Sequence, residues 1–341
     1  MERVHRTAAV GRRLAHDVTQ VLAGESKRVY LRRGDVVQAE HLETLGDMGK
    51  EHLLVLDAAD APDGRVHEND AAAMFAQTAA GEGCDTAAPV EGKCDVKARW
   101  DGLFVPDKGA IDAANAALSG SAALITRPEG AVVAAGDRVA IARVFPAYVS
   151  AETADRLAQV PAALTVRPFR RLRAGVVVTG GEVAAGRIQD AFGPLLREKL
   201  SRYGSELAKV EIVGDDRDAI AKAIRGLRAQ GLDLLFATGG MAVDADDLTQ
   251  SAIRQAGVDV RFAGVPMQPA TLLLFGTLEG VPLFGVPAGV LYDPYSALDR
   301  LLSYVLSGIL PTAEMVLAMG VGGMLGGGGG HRHAASAEAR R

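Results

Sequence analysis

Cysteine is scarce: the 341 residues hold two, Cys84 and Cys94, neither in a Cys-x-x-Cys spacing nor near a histidine pair. That excludes the usual zinc motifs and predicts a reduced, cytoplasmic protein. There is also no run of about 18 or more apolar residues, the length a membrane-spanning helix needs. The first residues, MERVHRTAAVGRRLAHDV, carry charges where a signal peptide has its apolar core, so neither secretion nor a membrane location is expected. Positive charge is not in excess: 37 Lys and Arg face 42 Asp and Glu, a formal net charge of -5. Non-specific nucleic-acid binding is disfavoured accordingly, and the expected partners are small molecules or proteins. Finally, no Gly-x-Ser-x-Gly elbow, no P-loop and no complete dinucleotide fingerprint occurs, which removes support from hydrolase, P-loop NTPase and nicotinamide dehydrogenase readings.

What is present is an ordinary globular composition, 48% hydrophobic and 23% charged, with an unusual 40 glycines. The length predicts two domains, since one domain takes roughly 100–200 residues. Residues 1–60 read as an N-terminal segment: a turn at Arg33-Gly34-Asp35, then a helix with Leu42, Leu45 and Met48 on one face, then a buried strand from Leu53 to Asp57. Residues 61–160 read as a small β-rich module. It opens with a turn at Pro62-Asp63-Gly64 and an Ala-rich helix, and strand-like pieces follow around Ala123–Arg127, Gly130–Ala134 and Arg138–Val144. A linking stretch from Asp155 to Arg173 carries Pro161, Pro168 and a basic cluster. From 161 to 311 the pattern becomes regular: AGVVVTGGE, KVEIVGDD and LDLLFATGG read as strands, each followed by an amphipathic helix, and TLLLFG and PLFGVP read as a closing pair before a last helix. Alternation with short loops predicts an α/β fold, a three-layer α/β/α arrangement on a mostly parallel sheet, beside an N-terminal α+β, β-rich region. Residues 312–341 form a Gly-rich tail of low complexity.

In an open parallel sheet ligands bind beyond the carboxyl ends of the strands. Thr179-Gly180-Gly181-Glu182, Gly214-Asp215-Asp216 and Thr238-Gly239-Gly240, with Asp244, Asp246 and Asp247 beyond, all fall there. Glycines admit a flat or phosphorylated ligand close to the backbone, and carboxylates can hold a hard cation such as Mg²⁺ against a phosphate or molybdate. For any single Asp the alternative reading is a helix N-cap; for a Gly-Gly pair it is turn chemistry.

The order of these motifs resembles the molybdenum-cofactor biosynthesis domain shared by molybdopterin molybdotransferases, molybdopterin adenylyltransferases and the competence-damage-inducible proteins. The resemblance rests on Thr179-Gly180-Gly181-Glu182 followed by Gly186, Ile188 and Asp190, on Asp215-Asp216, and on Thr238-Gly239-Gly240 with Asp247 seven positions later. In the N-terminal half AAVGRRLAHDV and LRRGDVVQAEHLETLGDMG are similar to molybdotransferase segments, and Val66-His67-Glu68 resembles a His-Glu element of related molybdopterin-binding proteins. The resemblance implies a pterin ligand, molybdopterin or its adenylylated form, held by Thr179, Gly180, Gly181, Thr238, Gly239 and Gly240. It implies catalytic roles for Asp190, Asp215 and Asp247, Mg²⁺ and molybdate as the inorganic partners with Glu182 and Asp216 as metal ligands, and self-association into a homo-oligomer. Three departures stand out: Ala242 and Asp244 replace a Ser-containing loop, Pro266-Met267-Gln268-Pro269 replaces Pro-Gly-Lys-Pro, and Val286-Pro287-Ala288-Gly289-Val290 replaces Leu-Pro-Gly-Asn-Pro. The leading expectation is a protein of molybdenum-cofactor biosynthesis that binds molybdopterin or adenylyl-molybdopterin, with molybdenum insertion as its molybdotransferase-like extension. The alternative is a non-catalytic cofactor carrier that serves a molybdenum-dependent oxidoreductase.

Overall fold

A computed structural model of the chain describes residues 2–20, 28–56, 64–241, 248–321 and 323–325. The turn residues Pro62 and Asp63 and most of the Gly-rich tail, with His331 and His333, lie outside the described residues. The chain divides into two compact units: Met1–Arg99 with Val105–Glu129 and Ala135–Val166, and Trp100–Phe104 with Gly130–Ala134 and Arg167–Arg341. Gly102–Phe104 pairs antiparallel with Val132–Val133, so two short excursions of the chain join the second unit. A contiguous reading of the sequence cannot see such excursions.

The first unit is α+β. Glu2–His5 pairs with His52–Val55, and Leu45, on the helix His41–Asp47, is fully buried in the small core between them. A four-stranded antiparallel sheet runs in the order Cys84–Thr86, Lys93–Ala98, Arg138–Val144, Ala122–Thr126. The Ala-rich helix Glu68–Ala79 packs on it through Phe75 and its buried alanines, small residues that let the helix approach closely. The segment from Asp155, read above as a linker, instead continues a helix, Ala151–Ala158, that the Ser150 hydroxyl caps. Both cysteines are buried, free thiols bonded to carbonyls, Cys84 to Leu164 and Cys94 to Ala87. Burial raises the Cys84 thiol to about 11, which makes it a packing residue and not a nucleophile.

His67 is 2% exposed. Its Nδ1 accepts the Asn69 amide at 3.1 Å, capping the helix that follows, and its ring meets Tyr148 edge to face at 5.2 Å. Burial, reinforced by the Arg33 guanidinium, lowers its pKa from 6.5 to about 4. The folded protein therefore keeps the ring neutral where the unfolded chain already binds a proton. Stability from this group is complete above pH 6.5 and is lost as the pH falls towards 4, by about 3 kcal/mol at most. In His67→Gln the pH dependence of urea unfolding flattens over that window; a variant that follows the parent would assign the acid lability elsewhere.

The second unit is a six-stranded sheet. Its elements are β1 (Arg173–Thr179), α1 (Gly181–Ala184), α2 (Phe192–Ser201), β2 (Glu206–Val213), α3 (Arg217–Ala229), β3 (Leu234–Thr238), α4 (Thr249–Gln255), β4 (Asp259–Ala263), β5 (Leu274–Leu278), β6 (Val281–Val286), α5 (Ala297–Leu306) and α6 (Ala313–Ala318). The strand order is β2-β1-β3-β6-β5-β4. The first four strands in that order run parallel, and β5 and β4 are antiparallel additions. Alternate residues of β1 explain its continuous apolar run: Ala174, Val176 and Val178 enter the core under α2 and α5, and Val177 enters the core under α3 and α4. Helices thus cover both faces, the three-layer α/β/α arrangement expected from the alternation.

Two local differences have physical causes. The helical pattern after β1 begins near Gly186, yet α2 starts only at Phe192. The Asp190 carboxylate accepts the amides of Phe192 at 2.8 Å and Gly193 at 3.0 Å and so sets the start there. Strand β4 has no counterpart in the sequence reading; its alternation of exposed and half-buried residues is too short and too polar to stand out.

Candidate functional site

Strands β1, β2, β3 and β6 are parallel neighbours, so the loops that follow them emerge at one edge of the sheet. These loops are Thr179-Gly180-Gly181-Glu182, Gly214-Asp215-Asp216, Thr238-Gly239-Gly240 and Pro287-Ala288-Gly289-Val290. The structure therefore brings the described residues Thr179–Glu182, Asp215, Asp216 and Thr238–Gly240 to one edge, whereas Asp190 stands further along the β1–α2 connection and Val66-His67-Glu68 lies in the first unit. Asp247, with Ala242, Asp244 and Asp246, lies outside the described residues.

The two glycine loops are locked to each other. Gly239 holds φ +82°, and a Cβ there would stand 2.7 Å from both the carbonyl oxygen and the Oγ1 of Thr179. Only glycine fits on both counts. The Thr179 hydroxyl donates to the Thr238 carbonyl at 2.8 Å, and its oxygen lies 3.1 Å from Oγ1 of Thr249 at the start of α4. Thr238 is fully buried, and among the described residues its own hydroxyl has no hydrogen-bond partner. Thr179→Val is expected to cost about 1–3 kcal/mol in denaturant unfolding, because it leaves the Thr238 carbonyl and the Thr249 hydroxyl short of a partner in a dry setting.

The four described carboxylates differ in how far the backbone commits them. Asp190 is engaged at both oxygens by the amides at the start of α2. Oδ1 of Asp216 accepts the Ala219 amide at 2.7 Å as the N-cap of α3. Asp216→Ala should therefore lower stability by about 0.5–2 kcal/mol, the value of such a cap, as read by thermal or urea unfolding. Oδ2 of Asp215 accepts the Gly181 amide at 2.6 Å, which ties the β2 loop to the β1 loop, and Oδ1 has no hydrogen bond among the described residues. Glu182 stands exposed on α1, the next residue of the same loop. Among the described residues no three His, Cys, Asp or Glu side chains gather as a ready-made metal cage.

Sequence reasoning missed the support beneath the β6 loop. Lys199 on α2 is 1% exposed; its Nζ lies 2.6 Å from Oδ1 of Asp299 and donates to the Pro294 carbonyl at 3.1 Å. Oδ2 of Asp299 in turn accepts from the amide and hydroxyl of Ser296, a capping box that starts α5. Tyr203 lies nearby, and burial, with the Asp299 charge beside it, pushes its hydroxyl upward so that it stays neutral. The network pins the segment that follows β6 to α2. Two signals could have revealed it: a lysine on the apolar stripe of α2 with Leu196 and Leu200, and Ser-x-x-Asp ahead of an apolar run.

Residues 175–320 match the family model described as "Probable molybdopterin binding domain", and residues 3–57 match a domain of unknown function. The first match lies within the second unit, which is thus similar to a molybdopterin-binding domain of the molybdenum-cofactor-biosynthesis type. More particularly, the chain is 46% identical over 81 residues to a CinA-like protein of Mycobacterium sp. (strain MCS), a stretch that covers 24% of this chain and 19% of that protein. A CinA-like protein of Mycobacterium tuberculosis is 42% identical over 81 residues, with the same coverage. The chain therefore spans about a fifth of the length of these curated relatives. Among solved structures, the molybdopterin biosynthesis enzyme MoaB of Thermus thermophilus aligns with 41% of this chain and 98% of its own at 22% identity and a TM-score of 0.35. CinA of Thermoplasma acidophilum aligns with 40% of this chain and 96% of its own at 19% identity and a TM-score of 0.34. No helix among the described residues is long and apolar enough to cross a membrane.

Proposed function

We propose that the second unit binds molybdopterin, free or adenylylated, at the carboxyl edge of its sheet and takes part in molybdenum insertion. The observation that carries this reading is the interlock of the loops: Gly239 packed on Thr179, and Asp215 accepting from the Gly181 amide. Half-buried Gly180, Gly239 and Gly240 and exposed Gly181 bring bare backbone to the edge where a flat pterin would lie. In this reading Asp215 and Glu182 hold Mg²⁺ against the phosphoanhydride and molybdate. Asp190 and Asp216 act mainly as caps that fix the loops carrying the chemistry.

A second reading, a cofactor carrier that hands its cargo to a molybdenum-dependent oxidoreductase, is favoured by a specific observation. Gln268, which stands at the lysine of the Pro-Gly-Lys-Pro segment, is exposed and offers an anion a neutral amide in place of a charge, while Met267 beside it is 1% exposed in the core. Incubation with adenylylated molybdopterin, Mg²⁺ and molybdate separates the two. AMP release with activation of a cofactor-free molybdoenzyme is the outcome expected of insertion. Tight binding without AMP release assigns the carrier role, and absence of binding overturns both.

A further inference from the structure

The basic cluster ahead of β1 takes no part in the carboxyl-edge site. One of its members, Arg170, lines a cavity of about 480 Å³ at the other edge of the same sheet, where β1, β3 and β6 begin. That size falls within the roughly 300–1,000 Å³ of small-molecule sites. Leu232, Val281 and Leu310 supply apolar wall, and Arg170, Arg228 and Asp233 supply charge. All these residues belong to the second unit.

The fold fixes the backbone of Arg170 and leaves its side chain uncommitted. Its amide donates to the Leu306 carbonyl at the end of α5 at 2.8 Å, and its carbonyl accepts the Ser205 hydroxyl at 3.2 Å. The guanidinium lies across Gly308, where a Cβ would collide with it. Among the described residues this guanidinium has neither an acceptor nor an ion-pair partner. Arg228, on α3, is held differently. Its Nε is buried, lies 3.4 Å from Oε2 of the exposed Glu279 on the β5–β6 turn, and makes no hydrogen bond among the described residues. Asp233 is already engaged: its Oδ2 accepts the Arg173 amide at 2.9 Å and its own amide donates to the Arg173 carbonyl at 2.8 Å, which closes the start of β1 on the start of β3. The lining thus sets two guanidinium groups against one carboxylate that the backbone occupies.

A guanidinium fork matches the paired oxygens of a carboxylate or a phosphate, and apolar wall beside it favours a ligand with a hydrocarbon body. We propose that this cavity is a second ligand site, separate from the carboxyl-edge site, for a small organic anion: a carboxylate or phosphate monoester whose charged end Arg170 and Arg228 hold and whose apolar body lies against Leu232, Val281 and Leu310. It does not depend on pterin binding.

Isothermal titration calorimetry of the full chain with octanoate and with octyl phosphate tests it. Octylammonium and inorganic phosphate serve as the probes that lack the negative charge and the apolar body. One-to-one binding of at least one organic anion is expected, and the tighter of the two names the headgroup. Arg170→Gln and Arg228→Gln should each weaken that binding about tenfold, the loss of a charge-assisted hydrogen bond. Arg170 is exposed, so its replacement is expected to leave the fold in place. Asp215→Ala, at the opposite edge, should leave octanoate and octyl phosphate binding unchanged. Failure of both anions to bind overturns the proposal. So does binding that Arg170→Gln leaves intact, binding that Asp215→Ala abolishes, or octylammonium or inorganic phosphate binding as tightly as the organic anions.

Discussion

Lys199→Met is expected to lower the free energy of unfolding by about 3–5 kcal/mol, the cost of stranding one member of a buried ion pair. The substitution leaves the Asp299 carboxylate 6% exposed, with only the Ser296 amide and hydroxyl for company, and removes the donor to the Pro294 carbonyl. Most of the loss comes from the uncompensated charge and not from the value of the pair itself. Lys199→Met/Asp299→Asn should therefore recover a substantial part of it: asparagine keeps an acceptor for Ser296 without the charge. Urea unfolding of the two variants reads this directly. A single variant within about 1 kcal/mol of the parent, the size of an exposed ion pair, would mean that the lysine reaches water. Because Pro294 lies in the segment after β6, the single variant should also weaken ligand binding under conditions where it is fully folded.

Gly239→Ala is the second large expectation, and it joins stability to the candidate site. Left-handed backbone costs a non-glycine residue about 1–2 kcal/mol. The new methyl would also sit 2.7 Å from the backbone oxygen of Thr179, which cannot swing aside as the end of a flexible side chain could. Forced overpacking of this kind costs about 1–3 kcal/mol, so a total of roughly 2–5 kcal/mol is expected, together with loss of pterin binding as the two loops part. Gly226→Ala is the matched control. Gly226 lies within α3 with open space around its Cβ position, and alanine there should stabilise by up to about 1 kcal/mol. Equal effects at the two positions would show that the interlock of the loops carries no weight.

The layers of the second unit were legible because β1, β3 and β6 are buried on both faces and so read as apolar runs, while the outer strand β2 was marked by the Gly-Asp-Asp turn that ends it. The helices were legible from their stripes, although the start of α2 depends on which amides Asp190 captures, a local competition that periodicity does not register. The loop residues came together because the topology puts every such loop at one edge. What the sequence concealed was contact between distant segments. Strand β4 needs β5 beside it to be a strand at all, and Gly102–Phe104 needs Val132–Val133. The carboxylates looked alike in sequence; only their hydrogen bonds separate Asp190 and Asp216, engaged by helix amides, from Asp215, which ties two loops together and keeps one oxygen free.

The central claim is that the edge formed by Thr179, Gly181, Asp215 and Gly239 is a molybdopterin site. Its most direct test is equilibrium binding of molybdopterin to the full chain, followed by the pterin's own fluorescence, with Asp215→Ala and Asp216→Ala compared at a temperature where both are folded. Saturable binding that Asp215→Ala weakens at least tenfold, and Asp216→Ala leaves nearly unchanged, is the predicted result. Absence of saturable binding, or binding indifferent to Asp215 and to Gly239→Ala alike, would contradict it.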